Sequence, residues 1–507
     1  MTGIVRSYAH EHGGRVGLLF LLFLLAIYSF INSGLNTFAI VCLIPAIIGL
    51  IYFAFKWNLF LFWCLILVNY FIQFINKNGW LPSGLPLSLP NELLEISIIA
   101  VMLIDIRKER HFGRSMNFMF FAITLWTLLC ILELFNDTCQ LGINVSAWFV
   151  GFRLMASQLI YFVIIFSICI DSPQTINKYL RFWACLALFS VFWTWKQQYI
   201  GLTPAERAWL SGTGGITHVV NGITRYWSTF NDAASYGCNA AATSVAFFIF
   251  GLTTKINKDR ILFFITGAAV LWGMFASGTR VAMACFFLGL LVYIFLSKSV
   301  KLAVPIIIFS LVAFVLLAFT NIGQGNSQIR RMRTVFNKND ASANARDINQ
   351  ATMAKYLQDA PWGIGISIRS GEVPARNKYA LLSMIAPDSE YVYIWIHTGR
   401  IGITIFLLAI FMMLAGASWI VLFRLKNKAL VGIGAGLCCA FTAMQLAAYG
   451  NQVLFQYPNG LIFFGGLAMV YALPYIEKDW VEYEQSIIVK QEEKKRLKLE
   501  KKLASKV

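Results

Sequence analysis

The chain has 507 residues, of which 58% are hydrophobic and only 13% charged. A soluble domain of this length would have too few polar side chains to cover its surface, so lipid must solvate most of it. The formal net charge of +18 does not indicate a nucleic-acid partner, because the basic residues are scattered between apolar runs and form no single stripe.

In chain order, spans are expected at 16–31, 37–55, 57–75, 91–106, 117–135, 153–170, 179–199, 233–252, 261–276, 281–297, 302–320, 392–422, 430–449 and 459–475. That makes about fourteen, each near the length that crosses hydrocarbon as a helix. Helix is the expected form because a spanning backbone must satisfy its own hydrogen bonds. The first run follows Arg6 and Arg15 without a small-residue cleavage site, so it reads as a retained span and not as a signal peptide. Nearly all the cysteines fall inside apolar runs and only Cys139 falls in an outer loop, so neither a disulfide framework nor a zinc site is expected.

With both termini cytoplasmic, the short inner loops collect Lys56, the cluster Arg107, Lys108, Arg110 and Arg114, then Lys178, Arg181, Lys255, Lys258, Arg260, Lys298, Lys301, Arg424, Lys426 and Lys428. The short outer loops hold only Lys77, Arg153, Lys196, Arg207, Arg225 and Arg280. This bias fixes the expected orientation. The fold expected is therefore an all-α integral membrane protein. Residues 1–320 form an N-terminal bundle of about eleven spans, 321–391 one large extracytoplasmic loop, 392–475 the last spans and 476–507 a charged cytoplasmic tail.

A structureless connection as long as 321–391 is uncommon, so that loop is expected to be an ordered domain or a lid. It has a helical-looking part, 345–359, ended by Pro361 and the glycines of PWGIGI. A second outer stretch, 201–230, is rich in glycine and polar residues, which membrane depth tolerates only beside a cavity or inside protein. Arginine outnumbers lysine on the outer side and lysine outnumbers arginine on the inner side. A planar guanidinium suits phosphate better than an ammonium does, so the outer face is suited to holding phosphate.

Three outer positions stand at the mouths of spans: Arg225 in TRYWSTFND, Arg280 in SGTR and Asp388 in PDSEY. Each also has an ordinary structural reading. Arg225 has Asp232 nearby as a partner, Arg280 has a lipid headgroup contact, and Asp388 has the N-cap of the following helix.

The order of these strings resembles the O-antigen polymerase and O-antigen ligase superfamily of bacterial cell-surface glycan enzymes. The resemblance rests on the turn from Arg225 to Asp232, on Ser277 to Arg280, on Pro361, Gly363 and Gly365, and on DSEY followed by Gly399 and Gly402. It covers roughly residues 220 to 425. It implies transfer of a glycan from undecaprenyl pyrophosphate at the outer face of the bacterial inner membrane. Ligases commonly carry histidine and then asparagine where this chain has Asp388 and Ser389, which favours a polymerase.

Such a transfer needs a general base for the acceptor hydroxyl and cations for the departing pyrophosphate. Asp388 is the expected base, with Glu390 as its substitute, and Arg280 and Arg225 are the expected phosphate ligands, without a catalytic metal or cofactor. His397 and Arg400 follow two and three turns beyond Asp388 as supporting groups, and Arg330, Arg331, Arg333 and Arg346 are further candidates for holding glycan or phosphate. Besides the carrier-linked glycan and membrane lipid, the partners expected are a chain-length regulator and a flippase. The alternatives are a ligase and, from another class, a flippase of lipid-linked glycans, although no internal repeat supports the latter.

Overall fold

The computed structural model describes residues 52–57, 59–81, 86–105, 111–212, 214–220, 222–320, 341–384, 387 and 389–504, with isolated positions at 21, 24, 28, 49, 325, 330, 331 and 333. The expected spans 16–31 and most of 37–55, the basic cluster at 107–110 and Asp388 lie outside the described residues, as does the side chain of Arg346. Contacts divide the chain into two units, 1–64 with 97–108, and 65–96 with 109–507. The first contains the start of helix α1 (Phe60–Lys77) and the end of α2 (Leu89–Ile104). Everything that follows concerns the second.

Among its described residues the longer helices, in order, are α3 (Phe118–Phe135), α4 (Val145–Cys169), α5 (Pro173–Trp195), α6 (Ala233–Thr253), α7 (Asn257–Ala276), α8 (Arg280–Leu296), α9 (Val300–Phe319), α10 (Ala341–Leu357), α11 (Glu390–Arg424), α12 (Lys428–Gly450) and α13 (Asn459–Ala504). Among the described residues, eight helices are long and apolar enough to cross a membrane, namely α1, α3, α4, α6, α7, α11, α12 and α13. The protein is therefore helical and multi-pass. The expected spans at 91–106, 179–199, 281–297 and 302–320 are also helices, α2, α5, α8 and α9, although α8 is short and α5 carries several polar residues.

Small residues set the packing. The helix α6 lies against α7, α8 and α12, and along most of its length it is buried. A side chain at Gly432 of α12 would overlap Thr253, and one at Gly436 would overlap Phe250. Glycine and alanine thus let α6 and α12 approach closely, which is how helices gain contact when lipid offers no hydrophobic driving force between them.

Residues 341–384, the described part of the long polar segment, form an ordered cap. Met353 and Leu357 of α10 are buried with Ala360, Ile364, Val373, Leu382 and Cys139, against Val392 and Ile396 at the start of α11. The helix anticipated at 345–359 occupies Ala341–Leu357. Its PWGIGI string then completes a break in α11. Gly399 has a non-helical φ of 64°, which leaves amides and carbonyls of that turn without their usual partners. The string supplies replacements: Ile364 N donates to Ile396 O and Gly365 N to His397 O, both at 2.9 Å, while Ile401 N donates to Pro361 O at 3.2 Å. Gly363 and Gly399 face each other so closely that a Cβ on either would strike the other's backbone. Irregular backbone at this depth is thereby satisfied within protein.

Candidate functional site

The polar string between α5 and α6 folds into a small platform. A helix at Pro204–Ser211, a turn at Gly215–His218 and a two-residue hairpin (Val219–Val220 with Ile223–Thr224) lead into the turn that begins α6. His218 is 2% exposed and ties this platform to α6. Its Nδ1–H donates to Gly214 O at 3.0 Å, and its Nε2 accepts from Ala233 N at 2.9 Å. Burial, with the charges of Arg225 and Lys77, lowers the ring to about 3, so it is neutral and both nitrogens are committed. Lys77, at the end of α1, donates to Phe230 O and Asn231 O and lies 3.7 Å above the Trp209 ring, which fixes the turn from below.

The SGTR turn between α7 and α8 meets this platform, and each of its polar side chains has a distinct contact. Ser277 Oγ donates to Met274 O at 2.7 Å and accepts from Thr279 N at 3.2 Å. Thr279 Oγ1 donates to Ala233 O at 2.8 Å and accepts from Arg225 Nη2 at 3.1 Å. Gly278 has φ 58°, a conformation that favours glycine. Arg280 then opens α8.

Arg225 and Arg280 line one cavity of about 440 Å³, together with Arg331, Asp232, His218 and the amides Asn451, Gln452 and Gln456. Arg225 also donates to Thr217 O at 3.0 Å, and Arg331 donates to Gly278 O at 3.2 Å. Burial, followed by the neighbouring charge of Arg331, lowers Arg225 to about 10, which leaves it protonated at neutral pH. Asp232 is engaged as the N-cap of α6, accepting from Ser235 N at 2.7 Å, and the Arg225 guanidinium hydrogen-bonds to Thr217 O and Thr279 Oγ1. Two helix N-termini, those of α6 and α8, end at this cavity and add their partial positive charge to three guanidinium groups. The arrangement concentrates positive charge around one cavity.

The far wall comes from the segment between α12 and α13. Asn459 holds it by donating to Val453 O at 2.9 Å and to Ser235 Oγ at 3.1 Å, and Asn459 Oδ1 accepts from Asn239. Glu390 holds it from the other side. Its carboxylate is 4% exposed and accepts from Leu454 N at 3.0 Å. Glu390 therefore faces this segment and does not line the cavity. Gln452 donates to Pro387 O at 2.9 Å, which brings the residue before Asp388 to the rim.

Pro387 also lines a second, more apolar cavity of about 340 Å³ with Ile364, Ile368, Leu382, Tyr393 and His397. His397 Nδ1–H donates to Gly365 O at 3.0 Å, so it anchors the PWGIGI string. The N-cap position of α11 is Ser389, and its hydroxyl donates to Ala448 O at 3.0 Å without capping the helix. Arg330 and Arg400 are exposed and line neither cavity.

Of the sequence candidates, the structure thus brings together Arg225, Arg280 and Arg331. It separates Glu390, Arg330, Arg400 and His397 from that cavity. His218, Lys77 and Thr279 were passed over in the sequence, as were the three amides after α12. Only the TH of the polar 217–232 string and the threonine of SGTR gave any signal.

No curated protein matches the chain. Residues 262–407 match a family model described as O-antigen ligase. That segment includes α8 with Arg280, the ordered cap and the kink of α11, so the resemblance to the O-antigen polymerase and ligase superfamily is borne out over this central part of the chain.

Proposed function

We propose that the protein is a glycosyltransferase that lengthens a surface polysaccharide from repeat units carried on undecaprenyl pyrophosphate, at the outer face of the bacterial inner membrane. The observation that carries this reading is the cavity of Arg225, Arg280 and Arg331 at two helix N-termini. Arg225 Nε and Gln456 Oε1 there are buried without a protein partner, which suits a ligand with both acceptor and donor atoms. A diphosphate supplies the charge, and sugar hydroxyls suit the amides.

In the reaction, the acceptor hydroxyl oxygen bonds to the anomeric carbon of the donor sugar while the bond from that carbon to the pyrophosphate oxygen breaks. The hydroxyl proton passes to the Asp388 carboxylate, and the lipid diphosphate leaves with its charge held by the arginines. Asp388 directly follows the proline that lines both cavities, which supports its role as base. Glu390, His397 and the Thr279 hydroxyl act by positioning.

A ligase that hands the finished polymer to a lipid acceptor is the second reading, favoured by the description of the matching family. The glycan profile of a deletion strain separates the two. Surface lipids capped with one repeat support the polymerase, and long chains left on the carrier support the ligase.

A further inference from the structure

We propose that the protein binds an anionic glycerophospholipid in a groove between α3, α11 and α13, at the end of α11 opposite the arginine cavity. The phosphate sits at Arg114 and Arg424, and an acyl chain lies along Phe118, Ala415 and Trp419.

The groove encloses about 450 Å³ and is walled by Phe118, Gly416, Trp419, Arg424, Tyr471 and Tyr475, among others. Its depth follows from the sequence. Position 416 is a glycine whose missing side chain would meet Tyr471 and Phe118. Pro474 interrupts the backbone hydrogen bonding of α13 at the groove's back. The Tyr471 hydroxyl donates to Met413 O at 2.7 Å, which ties α11 to α13 at this level without filling the space below.

Two features select the occupant. First, the walls are aromatic and aliphatic, and Phe118, Trp419, Phe423 and Tyr475 are exposed around them. A ring of this kind marks the depth where hydrocarbon meets headgroups. Second, the polar end is cationic. The Arg114 guanidinium stands 5.4 Å above the Tyr475 ring, and Arg424 lines the groove itself. Among the described residues neither arginine is ion-paired with a carboxylate. The acidic group one turn beyond Pro474, Glu477, is taken by the amides of Lys426 and Asn427. Lys426 and Lys428 add further positive charge just past Arg424. An apolar slot with one guanidinium group in its wall and a second stacked on the lining Tyr475 complements a phosphate-bearing lipid without a choline or ethanolamine cation. A free anion would fill the cationic tip and leave the slot empty.

The test is native mass spectrometry of the full-length chain released from detergent with phosphatidylglycerol, with phosphatidylcholine or with inorganic phosphate added. Wild type and R114K/R424K are expected to keep phosphatidylglycerol. R114Q/R424Q should bind it about tenfold more weakly or worse, since each basic residue near such a surface contributes about 1 kcal/mol. A415W, which keeps both arginines and fills the slot from an exposed position, should lose it too, so the result does not depend on one variant folding. Equal retention of phosphatidylglycerol by R114Q/R424Q and by A415W overturns the proposal. Displacement by inorganic phosphate reduces the site to a plain anion site, and equal binding of phosphatidylcholine reduces it to an unselective apolar slot; either result also overturns it.

Discussion

Arg225 and Thr279 stand 54 residues apart and are joined by a hydrogen bond of 3.1 Å, in which the guanidinium donates to the hydroxyl that itself donates to Ala233 O. One threonine thus sets the position of a cavity arginine and the start of α6. Thr279→Val keeps the shape but leaves both groups without that partner. A lost buried hydrogen bond to a charged group costs about 1.5–3 kcal/mol. Elongation by purified protein should therefore fall about ten- to a hundredfold, while Thr279→Ser stays near wild type. Normal elongation by Thr279→Val would remove the positioning role.

Arg280→Lys keeps the charge at the cavity, but a point ammonium cannot reproduce the paired hydrogen bonds of a guanidinium to a diphosphate. A loss of about tenfold or more in polymer at equal protein level is expected. Output near wild type would make Arg280 a headgroup contact only.

Asp388→Asn removes a proton acceptor and should slow elongation on the order of a hundredfold, with substrate binding kept. Glu390→Gln should be mild, because the amide oxygen still accepts from Leu454 N, whereas Glu390→Ala leaves that buried amide unpaired and lowers the melting temperature. A dead Glu390→Gln beside an active Asp388→Asn would transfer the base to Glu390.

His218 gives a pH signature. Its folded value of about 3 lies below the ordinary 6.5, so the stability contributed by the neutral ring is complete above pH 6.5 and is lost as pH falls toward 3. Proton uptake on unfolding makes this about 1.4 kcal/mol per pH unit at most within that window. The thermal midpoint in detergent should drop between pH 6.5 and pH 4, and drop less in His218→Asn, which does not titrate. Parallel curves would show that another group governs the acid limb.

Orientation is tested by labelling single cysteines in a background without reactive thiols. A cysteine at exposed Arg376 in the cap should react with an impermeant reagent in intact cells, and one at exposed Lys426 only after lysis. The reverse pattern places the arginine cavity in the cytoplasm and ends the proposed function.

The sequence revealed the helices because apolar runs need no partner to be recognised; the bounds of α11 and α12 differ from expectation by two residues at each end or less. It also showed Arg225 and Arg280, since charge at the mouth of a span has a cost that asks for a reason. It did not reveal that Glu390 faces inward. Helix periodicity places a side chain on a face but does not say which neighbour covers that face, and the 453–455 segment lies more than sixty residues away. His218 and the amides at 451–456 were hidden for the same reason, as neutral residues whose role depends on distant chain.

The PWGIGI string stands in for the hydrogen bonds that α11 lacks at Gly399. Swinging it aside would strip those amides and carbonyls bare at once, at a cost of several kcal/mol in a region poor in water. This part of the cap is therefore a fixed wall and not a door. A ligand of the arginine cavity must then reach it by a path that leaves this string in place.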